Sequence, residues 1–517
     1  MKKYFQKGDI DGFFGLFIDN LLQLMVIYEL CIHFLNFPTD LVIQKILPGS
    51  ALSILLGNLY YSHQAKKLME KENRDDVTAL PYGINTPSVF AFIFFVMAPV
   101  YFKSENTTLA WQAGLFACLL SGLMEVFGSF IGDFIRKNTP RAALLSPLAG
   151  IAITFICMGF VFRIFNSPVI ALIPMFLIII TYASRITLPL RLPGGLVAMI
   201  VGIAIAWISY ATGMSDFKPK NISTELAFHP PVWSIGDIFS LLQEKEFWGY
   251  MAIIFPMGLF NIIGSLQNLE SAEAAGDTFE TRPSLLVNGL GTVSASLFGS
   301  PFPTTIYIGH PGWKNMGARA SYSAINGIVI AIFCFAGALT FLINYIPLEA
   351  VLGIILWIGI IMMSQSFQDT PKEHYLAIAI GLIPCLAAWT FLLIDGSVGA
   401  AGSSLFKLQQ ALALRDIHIG GVIALNQGFL VTSMIYAAAT VYIIERKFKL
   451  AAIWILTASV CSFFGVMHAY ELTEKAVNPV IGFNASPSYA LLYLILAFVL
   501  YSFDFIKKDS NESITKV

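Results

Sequence analysis

Three carboxylates stand close together in the stretch SLQNLESAEAAGDTFE, directly after the apolar run FWGYMAIIFPMGLFNIIG. They are Glu270, Glu273 and Asp277, and helical spacing would place all three side chains on one face. Like charges near apolar surroundings repel each other, so at least one of these groups is expected to bind a proton or a cation. The pattern predicts an ion-coupling or ligand-binding cluster.

Glu273 is the strongest ligand-binding candidate of the three, because the small residues around it in AEAAGD suit close helix packing. Asp277 and Glu270 are candidates for ion or proton coupling. An alternative stays open: the apolar span ends near residue 268, and the acids only solvate an exposed helix end.

Asp19 is a fourth acid of interest, because it lies with Asn20 inside the apolar run GLFIDNLLQL. Ionisable residues within a membrane span are usually functional. Asp19 is therefore another candidate for ion or proton coupling.

Two apolar segments are interrupted by prolines in a similar order. The matching residues are Pro81, Tyr82, Asn85 and Pro87 in the first segment and Pro303, Tyr307, His310 and Pro311 in the second. Proline removes an amide donor and pushes the preceding residue towards an extended conformation. Each segment is therefore predicted to be an extended stretch followed by a half-helix, whose N-terminus would carry free amides and partial positive charge. Two ordinary proline-kinked spans are the alternative.

Polar side chains of these segments are candidate contacts for a substrate. Thr304, Thr305 and Tyr307 could coordinate a polar ligand, and Tyr82 could stack on a planar one. His310 suits either proton exchange or a structural hydrogen bond.

The composition requires that these segments lie in a membrane. Of 517 residues, 56% are hydrophobic and only 12% are charged, with mean hydropathy +0.73, whereas soluble proteins are about 25% charged. About sixteen segments are long or apolar enough to be candidate spans. Lys and Arg concentrate in alternate loops, which predicts a multi-pass protein of the cell membrane (the inner membrane in a Gram-negative cell) with both termini in the cytoplasm.

Several classes of function are disfavoured. The near-equal counts of 31 basic and 32 acidic residues suggest no nucleic-acid partner, and the six cysteines show no metal-ligand spacing. None of the common hydrolase, nucleotide-binding or zinc-protease motifs is found, so neither an enzyme nor a cofactor or metal site is predicted.

The two interrupted segments lie seven spans apart, an odd offset that an inverted repeat requires. The predicted organisation is an N-terminal repeat over residues 1–212 and a C-terminal repeat over 248–444. An external amphipathic loop over 213–247 would join them, and two additional spans with a short tail would follow over 445–517.

The motif EAAGD and the stretch PFPTTIYIGHPG resemble those of the xanthine/uracil permeases, the nucleobase–ascorbate transporter family. The resemblance implies an all-α polytopic membrane protein of two inverted seven-span repeats, with core and gate domains. Its third and tenth spans would be broken into a short strand and a half-helix. It also implies that Glu273 binds the base, that Asp277 is its companion, and that dimers fit the family.

The chain departs from the family's pattern at three places. Ile308 stands where the family's second binding residue, Glu or Gln, is expected. Asp19–Asn20 replaces the first-span Gln-His pair of many members, and about two spans are added at the C-terminus.

The resemblance favours a secondary active transporter that carries a small planar solute, a purine or pyrimidine, together with H⁺ or alternatively Na⁺. A sulfate-permease-type anion transporter of the same fold is the second hypothesis, since half-helix N-termini suit an anion. Acids facing the site would oppose that anion.

Overall fold

The fold is described from a computed structural model of the whole chain. The structure describes residues 5–184, 186, 188–189, 192, 194–214, 217, 226–240, 250–307, 309–315, 317–474 and 477–514. Ile308 lies outside the described residues, and so does about half of the predicted external loop.

The elements up to the middle of the chain are α1 (Gly8–Glu29, continued by a π-helical turn Leu30–Phe34), α2 (Thr39–Leu41, followed by a π-helical turn Val42–Ile46), α3 (Leu47–Glu72), β1 (Tyr82–Ile84), α4 (Thr86–Phe92, continued by Ile93–Met97), α5 (Ala98–Ser104), α6 (Thr107–Asn138), α7 (Arg141–Ile151, continued by Ala152–Met158), α8 (Gly159–Asn166), α9 (Pro168–Ala183), α10 (Gly194–Thr212) and α11 (Ile235–Phe239).

The remaining elements are α12 (Met251–Ala274), α13 (Thr281–Leu297), β2 (Thr304–Ile306), α14 (His310–Asn315), α15 (Ser321–Phe335), α16 (Leu339–Tyr345), α17 (Leu348–Gln368), α18 (Tyr375–Ala400, preceded by a 3-10 turn Lys372–His374), α19 (Leu405–Ala413), α20 (Ile419–Asn426), α21 (Phe429–Ile444), α22 (Phe448–Phe463), β3 (Tyr470–Leu472), β4 (Val477–Pro479) and α23 (Pro487–Ile514).

The protein is a multi-pass membrane protein by the length and hydropathy of its helices. Among the described residues, nine helical segments are long and apolar enough to cross a bilayer. The number rises to eleven if each of two bent pairs, α15–α16 and α20–α21, is one span. Helices α9 and α22 are apolar but shorter.

The broken third and tenth spans are confirmed. Strand β1 precedes the half-helix α4, and strand β2 precedes the half-helix α14. The two strands pair antiparallel, with Tyr82 opposite Ile306 and Ile84 opposite Thr304. This pairing satisfies backbone groups that a proline-interrupted span leaves open inside an apolar environment.

One compact unit comprises Met1–Asp133, Ile156–Glu244 and Met257–Ile358. It contains both broken spans, and α3 packs closely on α15 within it. Asn58 of α3 donates to the carbonyl of Tyr82 at 3.0 Å and accepts from the hydroxyl of Ser323 at 2.7 Å. Buried side-chain amides therefore position the strand β1.

The other unit comprises Phe134–Phe155, Lys245–Pro256 and Gly359–Val517. Helices α7, α18 and α21 approach closely through small residues. A Cβ added to Gly150 would clash with Cys385, and the hydroxyl of Ser433 donates to the carbonyl of Gly381 at 2.6 Å. Small residues and short polar side chains are typical of helix contacts in a membrane. Each compact unit is built from three separate stretches of the chain, so the units do not test the predicted repeat boundaries. Those boundaries stay a prediction.

The C-terminal pair α22 and α23 is anchored in this unit by a buried histidine. His468 Nδ1 lies 2.8 Å from the carbonyl of Ala424, which can only accept, so Nδ1 carries the ring proton. His468 Nε2 then accepts from the hydroxyl of Tyr493 at 2.8 Å, and Tyr493 contacts Tyr436 at 2.5 Å. The neutral ring thus joins α20, α21 and α23.

We expect the packing of α23 to weaken in acid, because burial lowers the pKa of His468 below its ordinary value of 6.5. The stabilisation is complete above that ordinary value and is lost as the pH falls below it, since the undocked chain binds the proton more readily. Hydrogen exchange of α23 amides should accelerate, beyond the intrinsic effect of pH, between about pH 7 and pH 5. The exposed His418→Gln variant should follow the wild type, and His468→Asn should lose the dependence. A wild-type profile without the acceleration would contradict this anchor.

Candidate functional site

The paired strands present two different faces. Thr304 and Ile306 are buried, whereas Thr305 and Tyr307 are only partly buried. Side chains alternate across a strand, so Gly83, opposite Thr305, shares the face of Thr305 and Tyr307. We call this side the Thr305 face.

Neutral hydrogen-bonding side chains cover the Thr305 face. The Asn20 amide on α1 donates to the carbonyl of Tyr82 at 3.3 Å, and its oxygen accepts from the hydroxyl of Tyr307 at 3.4 Å. Ser265 of α12 lies 3.2 Å from Thr305, hydroxyl to hydroxyl. A Cβ added to Gly83 would clash with both Asn20 and Tyr307. Glycine at position 83 is what allows these groups to lie against the strand.

The N-terminus of the half-helix α4 is capped by a side chain. The Asn85 oxygen accepts from the backbone N–H of Ser88 at 3.0 Å, and Pro87 occupies the first turn, where its missing N–H costs nothing. The sequence NTPS therefore starts a helix directly after β1. Its first turn directs partial positive charge towards the strand pair.

Helix α1 contributes an acid and a buried amide beside this region. Asp19 is half-buried and close enough to Tyr307 and Tyr182 to interact electrostatically with both. Gln23 lies one turn further along the helix, on the side of Asn20. It is 1% exposed and lies within hydrogen-bonding reach of the Asp19 carboxylate, although neither amide atom makes a hydrogen bond of ordinary geometry among the described residues. A buried amide beside a carboxylate adds a polar group to this side of α1, and its remaining hydrogen-bonding capacity suits a polar ligand.

Asp277 lies in the loop after α12 and holds several segments together. Its fully buried carboxylate contacts Arg74 at 2.8 Å, Lys314 at 2.7 Å and His310 at 3.2 Å. It also accepts from the backbone N–H of Thr78 at 3.0 Å. The end of α3, the approach to β1 and the half-helix α14 are therefore fixed to one carboxylate.

Asp277 stays ionised at physiological pH. Burial by itself would raise the pKa of Asp277, but hydrogen bonds from His310, Lys314, Thr78 and Arg74 outweigh burial and hold the pKa at about 2. The Arg74 side chain also lowers the pKa of Asp76, which lies 2.8 Å away on the exposed side. This arrangement favours a tethering role for Asp277 over proton exchange.

Glu273 lies at the exposed end of α12. Gly276 adopts a positive φ of 89°, its N–H bonds to the carbonyl of Glu273 at 2.8 Å, and the N–H of Asp277 bonds to that of Ala272 at 2.9 Å. These two bonds form a Schellman motif. The EAAGD motif therefore ends a helix here, and the structure does not bring Glu273 to the Thr305 face.

The other predicted site residues fall into four groups. Thr305 and Tyr307 lie on the Thr305 face, as described. Tyr82 and Thr304 lie on the opposite, buried face, where the two hydroxyls are 2.6 Å apart and Thr304 also contacts Ser53 at 2.6 Å. His310 is buried beside Asp277 and contacts the carbonyl of Thr78 at 3.0 Å. Ile308 and the side chain of Glu270 lie outside the described residues.

Asn261 of α12 is a site residue that the sequence interpretation missed. Its oxygen accepts from the amide of Asn85 at 2.8 Å, so it contacts the cap of α4 directly. The signal was present in NIIG, where Asn261 and Gly264 have the spacing of the Glu-x-x-Gly motif with Asn in place of Glu. Gln23 and Ser265 were missed because polar residues in apolar spans have no motif of their own.

No group of three or more His, Cys, Asp or Glu side chains that could hold a metal ion occurs within the described part of the chain. The chemistry available at the Thr305 face is hydrogen bonding from amides and hydroxyls, a helix N-terminus, and the carboxylate of Asp19. Such a set can bind a small polar solute and a cation, and it contains no nucleophile activated by a base.

No family model matches the sequence, and no curated protein matches it. The structure is similar to the transmembrane domain of a cyanobacterium bicarbonate transporter, BicA, with a TM-score of 0.54 at 15% identity, over 75% of this chain and 96% of that one. The chain has the fold of that transmembrane domain. The predicted architecture, an all-α polytopic protein of inverted repeats with broken third and tenth spans, is thereby confirmed.

Two further similar structures are SLC26A9 and the murine Solute Carrier 26 family member A9 anion transporter in its inward-facing state. Both have a TM-score of 0.46 and 12% identity. The chain covers 61% of the first and 68% of the second. The similarity to the BicA transmembrane domain supports the fold that the permease resemblance implied, without assigning the chain to the xanthine/uracil permeases.

Proposed function

We propose that the protein is a secondary active transporter that carries a small oxyanion together with a cation. The observation that carries this proposal is the cover of neutral amides and hydroxyls on the Thr305 face, beside which Asp19 is available to hold a cation. Asn20, Ser265 and Thr305 contribute amide and hydroxyl groups there, and α4 directs the positive end of its dipole towards the same region. These groups stabilise an anion, whereas a carboxylate in their place would repel it.

Two of the acids that would oppose an anion, Glu273 and Asp277, lie where their charge has little effect on one. Glu273 is exposed at a helix end, and Asp277 is neutralised by Arg74 and Lys314. BicA is described as a bicarbonate transporter, which adds support for an anion of that size. A nucleobase carried with H⁺ remains the second candidate, and it would require a hydrogen-bonding partner other than Glu273.

Asp19 is the group that would hold the coupling cation. It is an intramembrane carboxylate within electrostatic reach of Tyr307, and such residues mark ion pathways in transporters. A cation there would offset the charge of Asp19 and attract the anion by roughly 4 kcal/mol at 4 Å in a partly polar site. Binding of anion and cation would then favour each other, which is the requirement for symport.

The test is uptake of labelled bicarbonate, sulfate, uracil and xanthine into proteoliposomes, with an imposed Na⁺ or H⁺ gradient. We expect saturable uptake of an oxyanion that one of the gradients drives. Asp19→Asn should reduce that gradient-driven uptake at least tenfold, a loss of about 1.4 kcal/mol of coupling. The exposed Asp40→Asn variant should behave as the wild type. Saturable uracil or xanthine uptake without oxyanion uptake would overturn the proposal in favour of the nucleobase.

A further inference from the structure

Glu125 of α6 is a buried carboxylate that the proposed binding site does not use. It is 2% exposed, and each of its oxygens accepts a hydrogen bond from an asparagine amide. Asn261 donates to Oε1 at 2.9 Å and Asn288 donates to Oε2 at 2.7 Å. Among the described residues, no lysine, arginine or histidine forms an ion pair with it. A carboxylate in this environment depends on those two amides for its stability.

The orientation of Asn288 is fixed by the backbone of β2. The N–H of Ile306 donates to the Asn288 oxygen at 3.0 Å. A backbone N–H can only donate, so the oxygen of Asn288 must face the strand and its NH₂ group must face Glu125. One carboxylate oxygen is therefore connected to the tenth span.

The orientation of Asn261 is fixed in the same way by the half-helix α4. The N–H of Ser88 donates to the Asn85 oxygen, so the Asn85 amide must donate onward to the Asn261 oxygen at 2.8 Å. The NH₂ group of Asn261 then faces Glu125 and the hydroxyl of Ser121, which is 3.3 Å away. The second carboxylate oxygen is thus connected to the third span.

Both chains of hydrogen bonds begin at a backbone N–H of a broken span and end by donating to Glu125. A proton on either carboxyl oxygen would meet an NH₂ group that also needs to donate. One asparagine would have to turn its side-chain amide by about half a turn. Its NH₂ group would then face another donor, which is the Asn85 amide for Asn261 and the N–H of Ile306 for Asn288.

We propose that Glu125 is a positioning residue whose ionised carboxylate fixes the α4 cap and strand β2, and whose protonation releases one of them. The asparagine relay, formed by Glu125, Asn261, Asn288 and Asn85, makes the shape of the binding region depend on one proton. This proposal rests on the proposed transport function only for its consequence on substrate affinity.

Among the titratable groups in its surroundings, Glu125 is the one whose charge changes on acidification. The titratable side chains close to it are Cys118 on its own helix, Tyr61 of α3 and Tyr82 of β1. Thr292 of α13 adds a neutral hydroxyl. Thiols and phenols are neutral at physiological pH in the absence of a nearby cation, so acidification acts on the carboxylate.

Transport kinetics give the first test. In the wild type the KM for the transported solute should rise at least tenfold as the pH falls through the range in which Glu125 binds its proton. Glu125→Gln places an NH₂ group against one asparagine permanently, so its KM should be raised at every pH and its profile should be flat. The exposed Glu280→Gln variant should keep the wild-type profile. If vesicles containing the Glu125→Gln variant reproduce the wild-type pH profile of KM, the proposal is overturned.

Hydrogen exchange gives a second test that does not depend on any solute. The amides of Ser88 and Ile306 should exchange at least tenfold faster in Glu125→Gln than in the wild type at neutral pH, while core amides of α3 stay protected in both. Equal protection of Ser88 and Ile306 in the two proteins would overturn the relay. A changed exchange rate with no uptake of any tested solute would refute the proposed function and leave the relay supported.

Discussion

Replacing Asp277 by asparagine should destabilise the protein by about 2 kcal/mol or more at neutral pH. The pKa of Asp277 is about 2, against an ordinary value of 3.8, and each unit of difference corresponds to about 1.4 kcal/mol. Because the folded-state pKa is the lower one, the stabilisation is complete above the ordinary value and is lost only as the pH falls towards 2. The neutral amide would also leave Arg74 and Lys314 without their buried anion.

The measurement is thermal unfolding of the purified protein in detergent, with Asp76→Asn as the matched control. Asp76 also contacts Arg74 at 2.8 Å, but it is exposed, and exposed ion pairs contribute roughly 0–1 kcal/mol. Adding Lys314→Met to Asp277→Asn should recover part of the loss, since it removes an uncompensated charge. Equal effects of the Asp277 and Asp76 substitutions would show that Asp277 is not a tether.

Replacing Gly83 by alanine should reduce uptake of the transported solute at least tenfold and destabilise the fold by roughly 1–3 kcal/mol. The added methyl group would overlap the amide of Asn20 and the hydroxyl of Tyr307. These side chains would have to leave the Thr305 face, and their bonds to Tyr82 and Ile84 would be lost or distorted. The change therefore tests the site without removing any polar group.

Gly312→Ala is the matched control, because a Cβ at that position in α14 meets no atom within 4 Å. Alanine is a better helix former than glycine, so this variant should be as stable as the wild type or more stable by up to about 1 kcal/mol. Uptake should be measured in proteoliposomes and stability by thermal unfolding. If Gly83→Ala transports with an unchanged KM, the Thr305 face is not where the solute binds.

Much of the architecture could be predicted from local features of the sequence. Pro81 and Pro303 precede the strands, and Pro87 and Pro311 lie in the first turns of α4 and α14, so the interruptions of both spans could be predicted from the residues. Low charge and long apolar runs likewise require a membrane. The same local rule explains EAAGD, where Gly276 ends α12, although the resemblance gave the motif a different meaning.

The candidate site was only partly predictable. Thr305 and Tyr307 were identified from their position after a proline, and alternation along the strand separated them from Thr304. Asn288 carried no signal, because an asparagine in an apolar span has many uses, and the Asn-x-x-Gly spacing at Asn261 does not by itself indicate its partners. Their roles depend on the partners they meet, Asn85 and Ile306, and on the direction in which each amide is forced to donate.

The sequence by itself determined that this is a multi-pass membrane protein with two interrupted spans, because apolar length and proline act locally. Tertiary structure decided which acids are exposed, paired or buried. Asp277 meets Arg74 across 203 positions of sequence, and Asn261 meets Glu125 across 136. The charge state and hydrogen bonding of a carboxylate are set by its neighbours in space, and only the folded chain brings those neighbours together.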